Sequence, residues 1–302
     1  MSSNGVDLNP PPHHPVAERP PSPWPASPPP VITSAARRTA RFVIIVIAAL
    51  AVLGTVGCLG VVSFALATSR VLTETGELPL GMRSLDIDTG GAPVPVRVFS
   101  DADAKQPRVD LRLVTRSADT RLSVVNEGTG SRVTLDADGS AFLWLAGSGM
   151  NVVLPPDIAR QLSVTVNRRA GPIDIGADLN HLLVRSDDGS VALGGSARLV
   201  DVDVRRGDIT TTTRIAVTES FNASTQNGAI DVEFRAAPRK IETTASGNVT
   251  VGLPSLGGYR VRAGTEASNG STTVTVPETT DPGAPSVTVR SKTANVSVEE
   301  IR

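Results

Sequence analysis

The sequence is short of the residues that usually staple or fill a small fold. Among 302 residues there is one cysteine, Cys58, so no disulfide can form within the chain. Only nine residues are aromatic, so any core must be built from aliphatic side chains. Three histidines are present, and two of them, His13 and His14, stand in a proline-rich segment. With His181 as the one remaining histidine, no Ser-His-Asp or Cys-His set comes together. The net charge is −1 and no long Lys/Arg run occurs, which argues against nucleic acid as a partner. Lysine appears three times against 26 arginines, a bias that resembles GC-rich bacterial coding. In that setting the Asn-x-Ser/Thr sequons at Asn222, Asn248, Asn269 and Asn295 are chance matches.

What the sequence does contain falls into unequal parts. Eleven of the 23 prolines lie in the first 30 residues, as in "PPSPWPASPPP" (Pro20 to Pro30). Such a segment buries too little apolar surface to offset its ordering entropy, so residues 1–36 are expected to form a disordered tail. Next come 27 residues without a charge, Phe42 to Thr68. As a helix they would reach roughly 40 Å, enough to cross a hydrocarbon core of about 30 Å. Arg37, Arg38 and Arg41 precede the run, whereas Arg70 after it is followed by Glu74 and Glu77. This asymmetry predicts an anchor over residues 37–70, a cytoplasmic N-terminus, and residues 71–302 outside the plasma membrane. Two processed alternatives are weaker. "TVGC" (Thr55 to Cys58) resembles a lipoprotein box but has Thr55 where leucine belongs, and "ALA" (Ala65 to Ala67) follows an apolar run too long for an ordinary signal peptide.

After Ser84 the apolar residues alternate, as in "VPVRVF", "VDLRLV" and "RVTLDA", with no sustained helical period. The expected class is all-β. From about residue 160 a repeat emerges, led by the glycines Gly171, Gly189, Gly207, Gly228, Gly247 and Gly270. Two places after each stand Ile173, Val191, Ile209, Ile230, Val249 and Thr272. Four places after stand Ile175, Leu193, Thr211, Val232, Val251 and Val274. Both series point to one side of a strand. A second series before the turn, Val164/Val166, Leu182/Val184, Val200/Val202 and Phe221/Ala223, fades in the last two units. Strand, glycine turn and strand thus recur with the same face apolar, which predicts a right-handed β-solenoid over residues 161–302, with residues 71–160 an irregular cap. The final strand, "NVSVEEIR", is expected to close its end with charge. The alternative is an antiparallel sandwich, suggested by Asn227-Gly228 and Asn269-Gly270 as hairpin turns.

"NVVLPPDIARQLSVTVNRRAGPIDIG" (Asn151 to Gly176), followed by "GSVAL", "GAIDV" and "GNVTV", resembles the bacterial putative-adhesin family, over roughly residues 82–300. The resemblance implies a β-solenoid-like fold beyond a membrane anchor. It carries over no catalytic or binding residue, because the shared motif consists of turn and core positions. Thr211 departs from it by placing a hydroxyl in an interior slot.

Several local motifs have two readings. Arg206-Gly207-Asp208 spells an adhesion tripeptide, but Gly207 is in register with the repeat glycines, so a turn explains it first. The outward Asp174 and Asp231 lie three units apart, too far to share glycosidic acid and base work. Asp187 and Asp188 are read as turn residues. "DADGS" (Asp136 to Ser140) lacks the ligands of a calcium loop, and "FLWL" (Phe142 to Leu145) reads as a buried strand. The tail offers Trp24 within "PSPWP" for an aromatic-lined groove and Thr39 for phosphorylation. No cofactor, metal or catalytic residue is expected. The leading expectation is a membrane-anchored display module engaging a cell-wall polymer or an envelope protein. One alternative is a signalling subunit whose tail recruits a cytoplasmic partner, and another is an envelope polysaccharide enzyme.

Overall fold

The computed structural model describes residues 70–115, 119–137, 142–143, 148–255 and 257–301. The apolar run 42–68, the tail with Trp24, the arginines Arg37, Arg38 and Arg41, and Trp144 all lie outside them. Among the described residues no helix is long and apolar enough to cross a membrane.

The chain is all-β. Its strands are β1 (Arg70–Glu77), β2 (Ser84–Asp88), β3 (Val96–Ser100), β4 (Arg108–Thr115), β5 (Arg121–Glu127), β6 (Gly130–Asp136), β7 (Phe142–Leu143) and β8 (Gly149–Leu154). One helical turn, α1 (Pro156–Ala159), follows, opened by proline, whose missing N–H no helix start needs. The repeat region supplies β9 (Ser163–Ala170), β10 (Ile173–Ile175), β11 (Leu179–Asp188), β12 (Val191–Leu193), β13 (Ser196–Arg206), β14 (Ile209–Thr211), β15 (Ile215–Asn227) and β16 (Ile230–Ala236). The last strands are β17 (Lys240–Ala245), β18 (Val249–Pro254), β19 (Arg260–Thr265), β20 (Thr272–Val274), β21 (Ser286–Ser291) and β22 (Val296–Ile301).

Each repeat unit contributes one strand to each of two faces. On the first face β3, β10, β12, β14, β16 and β18 pair in parallel, in that order. On the second, β2, β9, β11, β13, β15 and β17 do the same. The faces are linked where β15 also pairs with β16. The repeat strands therefore stack in parallel and do not form the hairpins of an antiparallel sandwich. Antiparallel pairing is confined to the N-terminal region, where β1 and β8 flank β4 and β5 pairs with β6.

Stacking puts like residues above like. Val96, Ile173, Val191, Ile209, Ile230, Val249 and Val296 form one interior column, all essentially inaccessible. Leu85, Val164, Leu182, Val200, Phe221, Ile241 and Val287 form the facing one. Such columns exclude water with few aromatics; Phe221 meets Phe234 edge-on at 5.0 Å. Thr211 is half-buried rather than enclosed, and its hydroxyl accepts the Glu233 N–H at 3.1 Å.

Three expectations need correction. The pre-turn series does not fade: Ile241 and Thr243 continue it, but the turn before Gly247 is one residue shorter, which reverses the parity at a fixed offset from the glycine. The final strand is not an end. β22 lies between β18 and β20, and β21 between β17 and β19, so the outermost pair is β19 and β20. Residues 71–160 are also more regular than expected. There β2 and β3 lie between the β6/β8 pair and the β9/β10 pair, all in parallel register. At both ends of the stack, some strands pair across strands that intervene in sequence, as β2 does with β6 and β18 with β22.

Candidate functional site

The repeat glycines sit where strand meets strand most closely. A Cβ on Gly189 would stand 2.0 Å from the Gly171 carbonyl oxygen, one on Gly207 2.3 Å from that of Gly189, and one on Gly228 2.0 Å from that of Gly207. These turns form a column of touching backbone with no room for side chains.

Arg206-Gly207-Asp208 belongs to that column. Arg206 Nη2 lies 3.0 Å from Asp188 Oδ2 on the neighbouring strand, and Asp208 Oδ1 accepts the Ala229 N–H at 2.8 Å. All three residues of the tripeptide therefore take part in contacts between units. In a cell-attachment assay Asp208→Glu is expected to behave as the parent does; attachment seen with the parent and lost with the variant at unchanged melting would restore a recognition role. Asp187 and Asp188 end strand β11 rather than forming a turn, and they face Arg205 and Arg206 one unit on, the former pair at 3.6 Å. His181, likewise, is within β11, between Ser163 and Leu199. Asp174 and Asp231 occupy one outward row with Ala192 and Thr210 between them. Among the described residues no three His, Cys, Asp or Glu side chains are grouped to hold a metal ion.

The outward side of the second face carries a polar trough of about 460 Å³. Strand alternation sends Asp88, Asn167, Arg185 and Asp203 out in one row across β2, β9, β11 and β13. Arg169, Asp187, Arg205 and Gln226 line the same trough at the strand ends. Its floor includes Arg168, which sequence reasoning missed. This guanidinium occupies an interior slot, in register with Ser186 and only 6% exposed. It donates to Val94 O at 2.8 Å, Pro172 O at 2.9 Å and Ala170 O at 3.0 Å. Burial pushes its pKa down to about 10, so it remains charged at neutral pH. A signal for it existed: Arg168 stands three places before its glycine, as the enclosed Ser186, Val204 and Thr225 do before theirs.

The first face carries a carboxylate group instead. Burial, then Glu233 and Glu299, raise the pKa of Asp231. A carboxyl with a raised folded value binds its proton more tightly folded than unfolded. Stability therefore falls as pH climbs from about 4 through the raised value, and the cost is full at neutral pH. Asp231→Asn is expected to raise the urea midpoint modestly at pH 7 and to leave it unchanged at pH 3, since the residue is exposed.

No family model matches this chain, and no curated protein matches it. Among the solved structures it is similar to are bacterial putative adhesins. One is a putative cell adhesion protein from Clostridium sporogenes, 12% identical, covering 77% of this chain and 100% of that one, with a TM-score of 0.38. Another is a putative adhesin from Bacteroides fragilis, 14% identical over 77% of this chain and 97% of that one, with a TM-score of 0.41. Identity at this level leaves the role of each residue to this chain's own geometry.

Proposed function

We propose that the chain is a single-pass membrane protein of the bacterial cell envelope that displays residues 71–302 outside the plasma membrane. That part forms a right-handed β-solenoid acting as an adhesin-like binding and structural module. The observation that carries the reading is a stack with an enclosed aliphatic interior and outward polar rows, encoded directly after 27 uncharged residues flanked by Arg37, Arg38 and Arg41. A stack of this kind is a stiff scaffold whose outward side chains are spaced by the strands, which suits extended ligands such as a wall polymer or an envelope protein.

The lysines provide the test. Lys105, Lys240 and Lys292 are the only three, and all lie beyond the apolar run. A membrane-impermeant amine reagent applied to spheroplasts is expected to modify these lysines, found by mass spectrometry. Modification only after lysis would overturn the topology. Co-sedimentation of the full chain with envelope material, before and after protein is stripped from it, is expected to show binding in at least one case.

A further inference from the structure

We infer that the trough on the second face is a subsite for a carboxylate-bearing sugar residue of an envelope polymer, with Arg169 and Arg185 holding the carboxylate. The setting of that ligand rests on the proposed display outside the membrane; the chemistry rests on the trough itself.

The arginines of this face differ in one respect. Arg132, Arg198, Arg205 and Arg206 each stand within 3.6 Å of a carboxylate on a neighbouring strand. Arg169 and Arg185 form no such pair among the described residues, although aspartates lie directly opposite both. Asp187, opposite Arg169, is engaged by Arg205. Asp203, opposite Arg185, accepts a hydrogen bond from the Ser224 hydroxyl at 2.7 Å. Two exposed guanidinium forks are thus left facing one trough from adjacent strands. Their positions are diagonal neighbours, roughly 7–8 Å apart at the backbone, so both long side chains can converge on one planar oxyanion. Beneath them Arg168 adds a charge that only carbonyl groups offset.

The other lining groups narrow the class. The trough sets four arginines against three aspartates, Asp88, Asp187 and Asp203. That small positive excess suits one negative charge per residue and opposes a dense polyanion, whose further charges would meet the aspartates. Asp88, Asn167, Asp203 and Gln226 offer acceptors and donors for hydroxyl groups. A volume of about 460 Å³ is in the range of small-ligand sites. No aromatic lines it, so a neutral sugar finds no stacking platform and an acidic one finds its fork.

The test uses the full chain in detergent and fluorescent oligogalacturonate, a neutral malto-oligosaccharide of equal length, and polyphosphate. Oligogalacturonate is expected to bind at least tenfold more tightly than the neutral probe and to weaken as salt is raised. The double variant Arg169→Gln/Arg185→Gln is expected to lose at least tenfold in affinity while melting as the parent does. Arg262→Gln/Arg290→Gln, in a second outward trough of about 340 Å³, is expected to bind normally. Equal binding of both sugars, no binding of oligogalacturonate, undiminished binding by the first double variant, or tighter binding of polyphosphate would each overturn the inference. Lysines modified on spheroplasts with no oligogalacturonate bound would remove the subsite and leave the display reading standing; unmodified lysines with the acidic probe bound would do the reverse.

Discussion

Gly189→Ala is expected to destabilise the protein by roughly 2–5 kcal/mol, the sum of a strained backbone and an overpacked contact. Gly189 has φ +132°, a conformation that side-chain-bearing residues rarely adopt, and its new methyl would meet the Gly171 backbone, which is itself held by the next turn of the column. Relief would have to separate two strands along a shared ladder. The check is urea unfolding of the full chain in detergent, followed by far-ultraviolet circular dichroism. Gly176→Ala is the matched control, since nothing lies within 4 Å of the Cβ it would add. A midpoint for Gly189→Ala as high as that of the control would show that the column yields, and the close stacking of turns would then not be what demands glycine.

The second large effect is expected at Arg168. Arg168→Met keeps most of the aliphatic volume but strips the carbonyls of Val94, Ala170 and Pro172 of their donor, with an expected loss of roughly 2–4 kcal/mol. Arg168→Lys retains the charge, yet one ammonium cannot match a planar fork that reaches three carbonyls, so it is expected to recover only part of the loss. Because those carbonyls join the segment before β3 to the turn after β9, amide hydrogen exchange should quicken there first. Unchanged exchange with Arg168→Met would mean that the buried cation does not brace this junction.

Much of the stack was legible because its constraints are local and periodic. Ile173, Val191, Ile209, Ile230 and Val249 recur at a fixed offset from their glycines, and an offset shared by residues that must lie in one column needs no knowledge of the rest of the chain. The reading failed where the offset or the order changed. One residue fewer before Gly247 hid Ile241, and the crossed order of β20 and β22 left no periodic trace, because strand pairing across a long connection is decided by tertiary fit. The trough was partly legible. Asp187 and Arg205, like Asp188 and Arg206, stand 18 positions apart, one repeat, so their pairing could have been read from spacing alone. That Arg169 and Arg185 go without such partners could not, since side-chain competition for Asp187 and Asp203 decides it.

The crossed ends of the stack also bear on how long the fold lasts once made. A repeat array with its strands in sequence order can fray from either tip, one unit at a time. Here the strands closest to the C-terminus are clasped on both sides, with Asn295 bonded to Asn248 47 residues earlier, and β2 is clasped likewise, its Asp86 bonded to Asn167 81 residues later. Closing such distant pairs is slow, and releasing either clasped pair means breaking two ladders together. A domain built this way trades speed of assembly for a high barrier to unravelling, and wherever cleavage outpaces reclosing its lifetime among proteases follows that barrier and not its equilibrium stability.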